Sequence, residues 1–389
     1  MYVDDANNLS QNDGLFKQIV VERDSNARLL GYESHAAYRL KKRLMKTPDR
    51  VEEFLTDLET KQMARGRRDM KSLVELKKQN EPENSLDEGF NDDIIFPWDF
   101  WYYARMAQQR RHVSQDRVTE YFHLQHIIKV MLEMFSEFLS IQFFPISPDR
   151  LKGSIWHEDV HVWAVWEVSH FHAELGHSVH HLVARTNYVA FHGHRSPPDF
   201  AEALSVMLEK WCWMEPELKR LGLHYARTHP QLNENWLREH PGEELPPAQI
   251  PDDMIQILTQ GQQVIRSLWF LRQMVYARFD MAVHHPKSHD ELLKMNFTKI
   301  YYGLAEKLGF VRAPEPEDQG YPHADLGHLV FGYGLFESTF REDPRNVSAW
   351  DRYKKGILEF GGSRDELGLL QEYLGHTPTA EALLRDILE

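Results

Sequence analysis

What the chain has least of narrows its chemistry first. It carries one cysteine, Cys212, in 389 residues. No disulfide can therefore close within it, and a reducing, cytoplasmic compartment is expected. No uninterrupted apolar run approaches the roughly 20 residues that a membrane-spanning helix needs. The amino terminus, MYVDDANNLSQNDG, is polar and acidic and has no apolar leader core. Positive charge is in deficit, with 45 Lys and Arg against 59 Asp and Glu and a net charge of −14. That balance argues against nucleic acid as a partner. Strand-type alternation, internal repeats, low-complexity tracts and a phosphate-binding glycine loop are not found in the reading of the sequence. At 42% hydrophobic residues the chain has ample material for a large core, and the expected class is all-α.

Residues 15–46 read as a helix and turn. Thr47-Pro48 reads as a cap followed by proline at the first helical position, opening a long charged helix to about Lys78 whose charges are expected to face solvent. Residues 79–94 read as an acidic loop. Pro97-Trp98-Asp99 opens an aromatic-rich helix, and Ser114 caps another that runs to about Phe144. Ser196-Pro197-Pro198-Asp199 starts a helix through Met214. Residues 227–251 read as a Pro-rich irregular loop. One helix of about 30 residues is expected from Pro251 to His284, and another from Ser288 to Leu308. Short helices with a break at Gly361-Gly362-Ser363 end the chain. The whole of 1–389 is expected to form a single helical domain.

The stretch with the most chemistry is 160–186, VHVWAVWEVSHFHAELGHSVHHLVART, which reads as one buried helix. At 100° per residue, His170, Glu174, His177 and His181 fall within about 60° of one another, with Glu167 adjoining. Ionisable groups are rarely buried on such a helix unless they are paired or bind a metal. The stripe almost spells H-E-x-x-H, in which two histidines four apart hold zinc and the intervening glutamate activates water. Glu174-Leu175-Gly176-His177 is present, but Ala173 stands where the first histidine is required. His172 lies about 140° around the helix from His177, and His170 lies about 10.5 Å along the axis from it.

Several stretches together resemble the thimet oligopeptidase and saccharolysin family of zinc metallopeptidases, and its fungal cytosolic branch most closely. They include ARLLGYESHAAYRL, PWDFWYYA, TEYFHLQHII, EVSHFHAELGHSVHHLVART, FHGHRSPPDFAEALSVMLEKWCW, GHLVFGYG and ILEFGGSRDELGLLQEYLGHTP. The resemblance runs from about residue 15 to the end and covers the family's carboxy-terminal catalytic part. It implies a multi-helix bundle with a central cleft, one zinc held by two histidines and a glutamate, and a short-peptide substrate. By resemblance, His177 corresponds to the second zinc histidine, Glu174 to the general base and Glu202 to the third zinc ligand. His328 and Tyr333, in GHLVFGY, correspond to the segment that stabilises the tetrahedral intermediate.

The departures shape the expected function as much as the matches do. Ala173 replaces the first zinc histidine. The β-containing subdomain of the family is expected to be missing where Trp166 runs into Glu167. The tyrosine-rich helix after GYG and the amino-terminal half that walls the family's channel are also expected to be missing. Zinc is thus either still held by fewer ligands or lost, and His170 could instead hydrogen-bond Glu174 across one helical turn.

The first expectation is a repurposed scaffold doing acid–base or binding work on a small molecule or modified peptide, with a biosynthetic role open. The second is a zinc oligopeptidase with altered ligands, and the third is a non-catalytic binding protein. His180 and His181 are expected in packing roles. His157 is expected at a structural turn, His284, His285 and His289 at a helix end, and Trp163, Trp166, Trp211 and Trp213 in the core.

Overall fold

The computed structural model describes residues 10–80, 94–109, 115–139, 141–157, 160–167, 184–191, 200, 210–261, 265–324, 347–360 and 362–376. Among them helices dominate, as the pattern of the sequence demands, and they gather into two compact units. One draws on residues 1–112 and 259–330, the other on 113–258 and 331–386.

The first unit is built on the helix Pro48–Asn80, which packs along Arg266–His284, itself packed on Phe297–Gly309. Apolar residues at three- and four-residue spacing line the inner face of the long helix: Val51, Leu55, Leu58, Met70, Leu73 and Leu76 are buried. Met70, Leu73 and Leu76 meet Ile95, Phe100, Tyr103 and Leu268, while Val51 and Leu55 meet Ala36 and Met281. Gly66 permits the close crossing. A Cβ built there would stand 2.2 Å from Leu271 Cδ1 and 3.2 Å from Phe310 Cε2.

The charges of the long helix do not all face water as expected. Lys77 is buried, its Nζ 2.9 Å from Asp99 Oδ2 and 3.0 Å from the Ile94 carbonyl. Asp99 also accepts from the Phe96 backbone N–H and so closes the start of the Pro97–Gln109 helix. The acidic loop falls largely on 81–93, outside the described residues; Gln79 and Asn80 belong to the long helix.

Three helices expected to be continuous are broken. The segment expected from Ser114 to about Phe144 begins as Gln115–Thr119 and resumes at Leu124. The segment expected from Pro251 to His284 consists of Asp252–Gly261 and Arg266–His284, with Ile265 at a left-handed φ of 52° where the second begins. The segment expected from Ser288 to Leu308 consists of His289–Lys294 and Phe297–Gly309. Asn296 accepts from the Lys299 N–H and caps the latter, a local hydrogen bond that competes with helix continuation.

The second unit centres on Leu124–Leu139, which packs on Val347–Gly356 and Glu215–Leu221. Tyr121, Leu218, Ile250 and Ile255 form a core beside it. Buried His224 accepts from the Ala226 N–H at Nδ1, so its Nε2–H donates to Glu120 at 3.1 Å. The region 227–251 is not wholly irregular. His229 caps a helix, Pro230–Glu239, with proline in its first turn, a position proline tolerates because that N–H has no helical partner.

The expectation of no strands fails in this unit. The helix expected to reach Phe144 stops at Leu139, and Ile141–Pro145 forms β1, paired antiparallel with β2, Trp163–Glu167. The register sets Ile141 opposite Glu167 and Pro145 opposite Trp163. The helix expected over 160–186 is therefore replaced by strand at 163–167, and Ala184–Thr186 lie outside any helix. Short apolar runs rich in Val, Trp and Phe fit a pleated surface as readily as a helix face, and pairing partners decide between them. The helix expected after Ser196 lies outside the described residues except Phe200 and the 3-10 turn Lys210–Trp213.

Candidate active site and its frame

His170, Ala173, Glu174, His177, His180, His181, Glu202, His328 and Tyr333 lie outside the described residues. The structure describes the frame from which the first of these segments departs and to which it returns. β2 delivers the chain to residue 168 from the sheet with β1. On the far side, buried Ala184 is followed by Arg185, whose backbone N–H donates to the Glu359 carbonyl at 2.7 Å and whose Nε lies 3.4 Å from Glu359 Oε1. The turn Val189–Phe191 is tied to the same region, since the Gly362 N–H donates to the Phe191 carbonyl at 2.8 Å. The described residues on either side, Trp163–Glu167 and Ala184–Arg185, are thus each held within one unit. The next segment begins at the fully buried Phe200, two residues before Glu202.

The sheet contributes a wall as well as an attachment. Phe143 and Trp163 stand on one face of the strand pair and, with Ile128, Leu132, Ser136 and Glu137 of Leu124–Leu139, line an open groove. Aromatic surface is exposed to either side of segment 168–183, at Phe144 and Trp156 before it and at Tyr188 and Phe191 after it; Trp156 is 88% exposed and Tyr188 70%. Exposed aromatic clusters of this kind mark places where something else packs. Of the tryptophans expected in the core, Trp163 lines the groove and Trp213 is exposed, because each belongs to a short edge element rather than to a helix covered on both sides. His157 is exposed at a turn, its carbonyl accepting from the Val160 N–H.

Elsewhere the histidines are accounted for by their neighbours. His284 ends its helix as expected, with Nδ1–H donating to Asp280 at 2.8 Å and Nε2 accepting from Arg23 at 3.3 Å. His285 meets the Ser34 hydroxyl at 2.8 Å, and His289 donates to Asp24 at 2.9 Å. Each ring has its own partner, and among the described residues no group of three or more His, Cys, Asp or Glu could hold a metal. His35 lies against His284, with ring centroids 5.1 Å apart and the ring planes tilted by 43°. Burial, with His284, Arg23 and Arg39 nearby, holds its pKa down at about 4. His323 is fully buried among Phe16, Phe279, Phe297 and Tyr301 and donates to Asp13 at 2.7 Å. Burial lowers its pKa, opposed by Asp13. The His35–His284 pair joins residues 249 positions apart and leaves no local signal in the sequence.

Among the described residues no helix is long and apolar enough to cross a membrane. The sequence matches the profile of peptidase family M3 over residues 2–172 and 166–388. The two matched stretches overlap at 166–172. Among curated proteins, the chain is 28% identical to an oligopeptidase, PhomG′, of Diaporthe leptostromiformis, over 97% of this chain and 36% of that protein. It is 26% identical to saccharolysin of Saccharomyces cerevisiae, over 99% of this chain and 62% of that protein. It is 21% identical to oligopeptidase A of Escherichia coli, over 96% of this chain and 62% of that protein. The chain thus spans between about a third and two thirds of the length of these relatives. The saccharolysin alignment is 468 residues long against 389 in the whole chain, so that relative carries residues within the matched region that this chain lacks. A match along nearly the full sequence places the chain in peptidase family M3.

Proposed function

We propose that this chain is an oligopeptidase-derived protein whose polar centre works on a short peptide or a modified, peptide-like small molecule without the family's full zinc cage. The observation that carries the reading is the family match along the chain, combined with a sequence that keeps Glu174-Leu175-Gly176-His177 and Glu202 but has Ala173 in front of them. An alanine side chain has no donor atom. His177 and Glu202 supply two ligands where a catalytic zinc normally takes three from protein. The donor set therefore does not fit a resident zinc.

In this reading Glu174 is the proton acceptor, and His170, one helical turn away, sets its charge and orientation through a hydrogen bond. His177 and Glu202 offer further hydrogen-bonding groups to the ligand. His328 and Tyr333 donate to oxygen that gains negative charge during reaction. The exposed aromatic residues that flank 168–183 would cover the apolar parts of a bound peptide. The relatives' printed descriptions as oligopeptidases support a short-peptide ligand. One cysteine in the chain supports a cytoplasmic setting.

The test pairs elemental analysis of protein purified without chelator with mass spectrometry of a short-peptide mixture before and after incubation. The expected result is less than about a tenth of an equivalent of zinc, with any peptide processing or retention lost in Glu174→Gln and His177→Ala. Unchanged processing in both variants overturns the assignment. About one equivalent of zinc overturns it in favour of an oligopeptidase with altered ligands.

A further inference from the structure

The first compact unit contains a small groove with a cavity volume of about 70 Å³, open to solvent at its mouth. Its walls come from three helices: Phe100 and Trp101 from Pro97–Gln109, Arg272 and Tyr276 from Arg266–His284, and Tyr301 and Ala305 from Phe297–Gly309. The spacing explains why these residues share a face. Arg272 and Tyr276 are four apart on one helix, as are Tyr301 and Ala305 on another. Ala305 and Gly309 keep that third wall low, and a Cβ at Gly309 would come within 4.0 Å of the Arg272 side chain.

The groove has one polar feature that its own structure does not use. The Arg272 guanidinium lies 4.9 Å from the Phe100 ring centroid and 4.7 Å from that of Trp101. Among the described residues no carboxylate pairs with it. The chain has 59 acidic residues for 45 Lys and Arg, and on the same helix Arg278 is paired with both Glu52 and Glu59. A half-buried arginine that meets no acid among the described residues is therefore unusual in so acidic a chain. Contact with the two rings anchors the guanidinium, and an arginine held this way still has N–H donors for a planar anion. The tyrosine beside it does not supply that anion. Tyr301 is buried and hydrogen-bonded to Tyr276, and burial pushes its pKa well up, so it stays neutral. At the rim Arg312 already faces Glu306 at 3.7 Å.

We propose that this groove binds a small aromatic carboxylate, with the acid held by Arg272 and the ring lying against Tyr276, Tyr301 and Val311. An arginine fork meets a carboxylate through two parallel hydrogen bonds, and the aromatic walls supply the contact area that a single ring needs. The site lies within one unit and uses none of Glu174, His177 or Glu202, so it stands or falls separately from the function proposed above.

The full chain is titrated with 3-phenylpropionate and, separately, with its neutral isostere 3-phenylpropan-1-ol, following Trp101 fluorescence and calorimetry. The acid is expected to bind saturably and at least about tenfold more tightly than the alcohol. Arg272→Gln should remove that preference, and Ala305→Trp, which fills the groove, should abolish binding of both. Equal affinity for acid and alcohol in the unaltered protein overturns the proposal. So does an Arg272→Gln variant that keeps the preference, or the absence of saturable binding up to about 10 mM. The comparison of acid with alcohol in the unaltered protein decides the matter even if a variant fails to fold.

Discussion

Lys77 and Asp99 form a buried ion pair, Nζ to Oδ2 2.9 Å, with the lysine side chain 1% and the aspartate side chain 11% exposed. It links the end of the longest described helix to the start of the Pro97–Gln109 helix and spans residues 81–93 in sequence. Lys77 also donates to the Ile94 carbonyl, and Asp99 also accepts from the Phe96 N–H. Removing one partner leaves an uncompensated charge in apolar surroundings. Lys77→Met or Asp99→Leu alone should cost about 3–5 kcal/mol. The double substitution should recover most of the loss, since two apolar side chains can replace a buried pair at little cost. Urea denaturation of the three variants measures this. Additive losses in the double variant would contradict it.

Gly66 sits where the long helix meets Leu271. Alanine in an exposed helix interior normally gains about 1 kcal/mol over glycine. At position 66 the added methyl would stand 2.2 Å from a fully buried leucine methyl, and overpacking of a filled core costs about 1–3 kcal/mol. Gly66→Ala should therefore lower stability or leave it level, and Gly66→Ala with Leu271→Ala should lose less than the sum of the two single changes. A stabilised Gly66→Ala protein would show that the helices can move apart freely.

The burial of His35 against His284 predicts a pH dependence. The folded protein holds the His35 pKa near 4, below the ordinary 6.5, chiefly by burial and then by the charges of His284, Arg23 and Arg39. The folded state then binds fewer protons than the unfolded state between those values. Stability is complete above about pH 6.5 and falls as pH drops toward 4, by roughly 2 kcal/mol for this group. The lowered pKa of His323 acts in the same direction. Replacing His35 with leucine should flatten the melting temperature profile between pH 7 and pH 4, and an unchanged slope would assign the effect to other groups.

Much of the helical frame could be read in the sequence because its signals are local. Thr47-Pro48 opens a helix at Pro48, and apolar residues then recur at helical spacing through Leu76. The strands could not be read. β1 and β2 are five residues each, and Trp163-Ala164-Val165-Trp166 is as apolar as a helix core until Phe143 is placed opposite Val165. Lys77 looked like part of a solvated face because its partner lies 22 positions away. The helix break before Phe297 depends on one asparagine cap, a signal easily overlooked inside an apolar run. For the site, the residue types at 173, 174, 177 and 202 came from the sequence, whereas the strand that leads into them and the Arg185–Glu359 attachment behind them came from the structure.

The central claim is that Glu174, His177 and Glu202 keep the inherited arrangement of peptidase family M3 and lack only one corner of its metal cage. Zinc affinity of Ala173→His, set beside the unaltered chain by titration and elemental analysis, tests this most directly. A histidine four residues before His177 restores the spacing at which two imidazoles bind one zinc. The account predicts that the unaltered chain holds little zinc and that the variant binds about one equivalent at least a hundredfold more tightly. No gain on substitution would contradict the claimed arrangement, and a full equivalent already present in the unaltered chain would contradict the claimed loss.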